Sequence, residues 1–552
     1  MARGWARIRL VVLAVAALLA FAVAVPRGGW VFDDHVLIER NADLARADVW
    51  WAAFGRDYYA SSEAPGVSGY YRPLAVLCNA FDVHVWRGRP QGAHLTNLVL
   101  HTLATLAVLP ALAALGVSPA AAWWTALVFA VHPVHAESVA FVSGRVDVLA
   151  TLFVLLALGA AGARHRWAWL GVGAASLLAF LSKESAIVLP VLLALVWWVQ
   201  RRAPWKEIAA LAAALALALV LRAAVLPSLL PTTAQGAAAA GNLLLPLQSL
   251  VFVLMALFAP VARLLVEPEP AQLGVAWAAA AVVVAGALWG GALALRPRAR
   301  PALRCAALAG FAALLPVLNL LPQETRLSER FLYLPSAFWL APVGVLVETA
   351  WERRGWWRRL VLAVATLVLV GLLVISSWRA RLWRDDLAIW RQAVREEPER
   401  AAFWDRLGLA LTERRSFGPA EEAQRRAVQL DPRNFNAWHN LGVLLQAKRD
   451  TQGAMEAYRR ALALQPQSVA THVYLGRLLM AGRDLEGAYA EFQAALQVMP
   501  ENFEALRMAG MVALRLEDFA AAARYLEAAR RLQPDNPAIQ KALERLQQRQ
   551  QP

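Results

Sequence analysis

The sequence predicts an all-α protein in two parts: a polytopic membrane helical domain of about eleven spans, then an α-solenoid of tetratricopeptide (TPR) repeats. Three observations carry this. The chain is 59% hydrophobic over 552 residues, more apolar side chain than a water-soluble core of this size needs. Apolar runs of spanning length alternate with short Arg-rich clusters. The last third repeats itself every 34 residues.

The spans follow from apolar length and the positive-inside rule. Arg3, Arg7 and Arg9 precede the first run, 8–26, so the N-terminus is expected in the cytoplasm with this run uncleaved. A polar outer segment, 27–93, follows. Runs near 94–115, 118–133, 139–161, 167–181, 186–200 and 207–227 then alternate, returning to Arg164–Arg166 and to Arg201, Arg202 and Lys206. Residues 243–266 are apolar enough to span, yet a crossing there would put Arg296, Arg298, Arg300 and Arg304 outside. They are expected to lie along the outer interface or to re-enter. Runs near 272–294, 302–321, 331–350 and 360–378 complete the domain, 1–380, with the repeats outside. The net charge of +15 thus reads as insertion signal rather than as a nucleic-acid surface. Cys78 and Cys305 fall on opposite sides, so no disulfide joins them.

Four polar clusters land on the outer face of this topology. They are Asp33-Asp34, HPVHAES at 132–138, SKES at 182–185 and RLSERFLYLPS at 326–336. Charge near membrane depth is costly, and its gathering on one face points to one site. Asp33 or Asp34 suits a general base, or a group holding metal and phosphate; a helix N-cap or solvated loop is the structural alternative. Glu137 suits a second catalytic carboxylate. His132 and His135 could join it on a divalent metal, but Pro133 between them argues for hydrogen bonding instead. Arg145 and Asp147 are expected to pair with each other. Lys183 should meet Glu184, Asp33-Asp34 or a ligand phosphate. Lys183, Arg330 and Arg72 are the phosphate candidates, with Glu184 and Tyr333 in support; a lipid-headgroup contact is the alternative for Arg72.

In the C-terminal part Pro398, Pro432, Pro466, Pro500 and Pro534 keep the 34-residue period, as do Gly408, Gly442, Gly476 and Gly510. Small residues let paired helices approach, and each Pro ends a repeat's second helix. Trp404 and Trp438 read as packing within the pair. A partial unit or linker, 381–400, precedes four repeats, 401–536, and a capping helix or tail, 537–552. Such arrays form a groove that binds peptide or protein.

FDDH, YYRPL, HLTNLVLH, FAVHPVHAESVAFVSGRVD, LSKES and SERFLYLPS, in that order and followed by TPR repeats, resemble the transmembrane and TPR repeat-containing O-mannosyltransferases and their bacterial relatives. The resemblance implies a GT-C glycosyltransferase fold, a polyprenyl-phosphate sugar donor and transfer, usually with inversion, to an acceptor hydroxyl on the outer side. It implies mannose on protein Ser or Thr, with the acceptor protein bound through the TPR groove. It maps the catalytic base onto Asp33 or Asp34, with a slight preference for Asp34, and the acid of the second outer loop onto Glu137. Residues 228–271 depart from the pattern, lacking its polar, aromatic segment. High Ala and Arg content points to a bacterium of GC-rich genome, hence the inner membrane with the array in the periplasm. The rival readings are a non-catalytic membrane-anchored TPR scaffold and a lipid-linked sugar transporter, the latter opposed by the scarcity of charge at mid-membrane.

Overall fold

The computed structural model describes residues 2–60, 69–163, 165–227, 244–260, 275–318, 328–353 and 355–550. These fall into two compact units, Met1–Ile389 and Trp390–Pro552. The described residues are helical, with turns between.

Among the described residues of the first unit, 8 helices are long and apolar enough to cross a bilayer, from Arg7–Ala24 to Trp356–Leu382. Three shorter apolar segments, Pro119–Val131, Ala168–Phe180 and Glu184–Gln200, occupy the remaining expected spans. The protein is therefore a multi-pass membrane protein. Exposure follows this solvent: Leu367 and Val374 on the last long helix are 73% and 60% exposed, as lipid-facing side chains must be. Helix Val142–Gly162 sits at the centre, packed along Pro90–Ala114 and Ala168–Phe180.

Helix Leu244–Phe258 has 15 residues, about 22 Å of rise, short of the ~30 Å hydrocarbon core. It packs along Val275–Leu295. Its Leu257 carbonyl accepts a hydrogen bond from His132 Nε2 at 3.0 Å. The rest of the ambiguous stretch, and most of 228–271, lies outside the described residues. Both cysteines are free.

The second unit stacks helix pairs: Ala401–Glu413 with Phe417–Leu430, Phe435–Ala447 with Thr451–Leu464, Val469–Ala481 with Leu485–Val498, and Phe503–Arg515 with Phe519–Leu532. Helix Pro537–Gln550 covers the last pair. The period is visible in the caps. Asn434, Ser468 and Asn502 each cap a first helix, and Asp450, Asp484 and Asp518 each cap a second. Second helices stop two residues before the repeated prolines, at Leu430, Leu464, Val498 and Leu532. A Cβ on Gly442 would stand 2.5 Å from the Tyr458 ring, and one on Gly476 2.8 Å from Phe492, so only glycine permits this approach. Trp404 and Trp438 pack half-buried against the core and donate to the carbonyls of Pro398 and Pro432.

Candidate functional site

The candidate residues outside the histidine cluster gather at one end of the first unit, where several helices break. After Val131 the chain makes a 3-10 turn, Pro133–His135, a short helix, Ala136–Ala140, and a second 3-10 turn, Val142–Gly144, before the long helix resumes. Asn97 on a neighbouring helix holds this elbow. Its Nδ2 donates to the carbonyls of Val139, Phe141 and Val142 at 3.1–3.2 Å, and its Oδ1 accepts from Arg145 Nε at 2.9 Å. Arg145, wholly buried, forms an ion pair with Asp82 at 2.6 Å. The expected Arg145–Asp147 pair does not form. Residues two apart on a helix face away from each other, and each finds another partner.

The elbow presents Ser143 to Asp34. Asp34 is fully buried and accepts from Ser143 N at 2.8 Å, Ser143 Oγ at 2.5 Å and Val31 N at 3.2 Å. Burial pushes its carboxyl up to about 7, against the lowering effect of the two Ser143 hydrogen bonds. Asp33 beside it is exposed, and its Oδ2 accepts from Tyr59 OH at 3.0 Å. His35 ties the segment down: Nδ1 lies 2.6 Å from Glu39 and Nε2 2.9 Å from Asp386. The Asp386 contact, joined by Glu39, raises the imidazole to about 9.

Tyr59 leads to the cations. It packs edge-on against Tyr58 and tilts toward Tyr70, whose ring lies 4.4 Å from the Arg72 guanidinium carbon. Arg72 donates through Nε and Nη2 to Glu184 Oε2 at 3.0 and 2.9 Å, and Arg222 approaches the other oxygen at 3.5 Å. Lys183 meets none of its expected protein partners. Its Nζ lies 2.5 Å from Asp147 Oδ1, because Glu184 is taken by Arg72 and Asp34 by Ser143. Burial pushes the Lys183 ammonium below the usual lysine range against the pull of Asp147, and positive Arg330 and Arg72 push the same way. The Phe331 ring lies 5.2 Å from Lys183 Nζ and 5.8 Å from the Arg330 guanidinium carbon.

Glu137 is held by the third segment. It accepts from Ser328 Oγ at 2.8 and 2.9 Å and from Arg330 N at 3.3 Å, with Arg330 Nε at 3.8 Å. Glu329, next to it, forms a buried pair with Arg379. Arg326 and Leu327 lie outside the described residues. Beside Asp147, a small cavity of about 20 Å³ lies between helices, lined by Asp147, Thr151, Ser185 and Phe331 and otherwise by apolar side chains such as Val154 and Leu334.

His132, His135 and Tyr333 are not at this polar surface. His132 Nε2 donates to Leu257, His135 Nε2 to Ser336 Oγ, and Tyr333 OH to His101 Nδ1 at 2.6 Å, all buried among aromatic rings. Burial holds the His135 imidazole well below its ordinary value. His132, His135 and Glu137 point to three different partners. Among the described residues no group of three His, Cys, Asp or Glu is placed to hold a metal ion. Sequence reasoning passed over Tyr59 and gave Ser143 and Asp147 no site role. All three are bland alone, and only the DYY and SGRVD runs hinted at them.

Residues 425–539 match the family model for the cytochrome c-type biogenesis protein H TPR domain. The chain is 35% identical over 171 residues to protein O-mannosyl-transferase Tmtc2 of Drosophila melanogaster, covering 29% of this chain and 18% of the relative. It is 39% identical over 134 residues to protein O-mannosyl-transferase TMTC1 of Mus musculus, covering 24% of this chain and 14% of the relative. The chain thus spans less than a fifth of either relative's length. Among solved structures, YrrB, a TPR protein, is 21% identical over 33% of this chain and 92% of its own, at a TM-score of 0.27. The chain is a polytopic helical membrane protein with a TPR array, and it is related to the protein O-mannosyl-transferases of the TMTC type over the stretches they share.

Proposed function

We propose that this chain is a membrane glycosyltransferase of the GT-C kind, moving a sugar, mannose in the relatives' names, from a polyprenyl-phosphate donor to a protein Ser or Thr hydroxyl. The observation that carries the reading is that three cations from separate segments, Arg72, Lys183 and Arg330, stand close enough to act on one another, at the end of the bundle that also carries the exposed carboxylate Asp33. That arrangement suits a donor with an anionic head.

In the proposed reaction Asp33 takes the proton from the acceptor hydroxyl as its oxygen bonds to the anomeric carbon. The bond from that carbon to the phosphate oxygen breaks on the opposite face. The electron pair leaves with the phosphate, which Lys183 and Arg330 neutralise. Exposure favours Asp33 over Asp34 as the base. Asp34, buried under three donors, serves to hold the loop. Glu137 orients Ser328 and Arg330. The TPR array binds the acceptor protein. The site faces the periplasm of a bacterial inner membrane.

The test is mass spectrometry of exported proteins from cells lacking this chain, complemented with wild type or Asp33→Asn. Loss of a hexose from particular Ser or Thr residues, restored by wild type alone, is the expected result. An unchanged set of glycosylated sites sinks the enzyme reading and favours a TPR scaffold.

A further inference from the structure

Resting on the reading above that the donor is a lipid phosphate, we propose that Asp147 is a positioning residue that parks Lys183, and that the lysine exchanges this carboxylate for the donor phosphate on binding. The pair is buried, with side chains 10% and 8% exposed, and its 2.5 Å contact uses only one oxygen of Asp147. The other, Oδ2, is buried without a hydrogen-bond partner, and so is Arg330 Nε. A buried polar atom without a partner calls for an explanation. Here the Phe331 ring lies beside both Lys183 and Arg330 and lines the same small cavity as Asp147.

The exchange trades one buried ion pair for another. Leaving Asp147 without its cation is costly, so the lysine moves only for an anion that engages it together with Arg330. Lysine suits this, being a point charge on a flexible stem. Arg330 sits against Glu137 at 3.8 Å, beyond hydrogen-bond reach, leaving its Nε ready for a phosphate oxygen. Departure of Lys183 leaves Asp147 buried and uncompensated. That weakens donor binding and speeds release of the leaving lipid phosphate when the lysine returns. Asp147 thus trades affinity for turnover.

The test uses the purified full chain in lipid nanodiscs with farnesyl phosphate as probe and farnesol as the uncharged control. Asp147→Asn is expected to bind farnesyl phosphate about tenfold more tightly, roughly 1.4 kcal/mol. Asp147→Glu stays near wild type, Lys183→Gln binds at least about tenfold more weakly, and farnesol binding is unchanged throughout. In turnover, Asp147→Asn lowers donor KM and kcat together, which a damaged fold does not do. If the asparagine variant does not fold, Asp147→Ser makes the same comparison. Tighter binding by neither overturns the inference while the donor reading stands. Failure of the wild type to bind farnesyl phosphate overturns both.

Discussion

Two adjacent carboxylates in one loop meet opposite environments. Asp33 faces solvent and holds one tyrosine hydroxyl, whereas Asp34 is sealed beneath Ser143. Asp33→Asn is expected to lower transfer at least ~100-fold, the usual contribution of a general base, with donor binding intact; equal rates for wild type and variant would remove Asp33 from the chemistry. Asp34 acts on stability. Its folded value, about 7, lies above its ordinary 3.8, so the folded state holds the extra proton between them. Stability should therefore fall as pH rises from about 4 to about 7. Asp34→Asn should flatten that slope in thermal melts of the detergent-solubilised protein. Ser143→Ala removes one lowering contact, the Oγ hydrogen bond, while the backbone N–H stays, and should extend the fall to higher pH. His35 runs alongside it: raised to about 9 by Asp386 and Glu39, it contributes stability fully present below pH 6.5 and lost as pH climbs through 9. Asp386→Asn should remove most of that alkaline component.

Elements decide what residues can do, and the elbow between Val131 and Arg145 is the clearest case. The polar run HPVHAES was legible in the sequence, and so was its position at a span end. The bend itself was not, because it depends on Asn97 from another helix, about forty positions upstream in the chain. That bend sends the histidines into the aromatic interior and Glu137 outward to Ser328. Spacing on a straight helix predicted neither. Arg145 is the elbow's other support. Arg145→Met leaves Asp82 buried without its cation and should cost ~3–5 kcal/mol. The double variant Arg145→Met with Asp82→Leu should recover most of that in the same thermal assay, and no recovery would show that Arg145 acts through its carbonyl contacts instead. The repeat array lies at the opposite extreme. Its period and its close glycines are local and were legible in the sequence, though its Asn, Ser and Asp caps were not read there. Gly476→Ala should cost ~1–3 kcal/mol in urea unfolding, since its methyl group has Phe492 in the way.

For the whole molecule, we propose which side of the membrane each end of the chain occupies from the short helix Leu244–Phe258 and the positive clusters. Had the chain crossed fully through 243–266, Leu257 would lie toward the end of the bundle opposite Asp34 and Glu137. Instead its carbonyl meets His132, three residues from His135 and five from Glu137. On the proposal that this stretch does not cross, the expected number of crossings stays odd, near eleven. With Arg3, Arg7 and Arg9 in the cytoplasm, Arg296–Arg304 and Arg353–Arg359 then share that side. On that proposal the far end of the chain emerges on the other. Alkaline phosphatase fused after Pro552 should therefore be active, and the same reporter fused after Arg298 should be silent. Activity reversed between the two fusions would mean that the stretch crosses. The TPR array would then lie in the cytoplasm, and a periplasmic acceptor could not be the protein it binds.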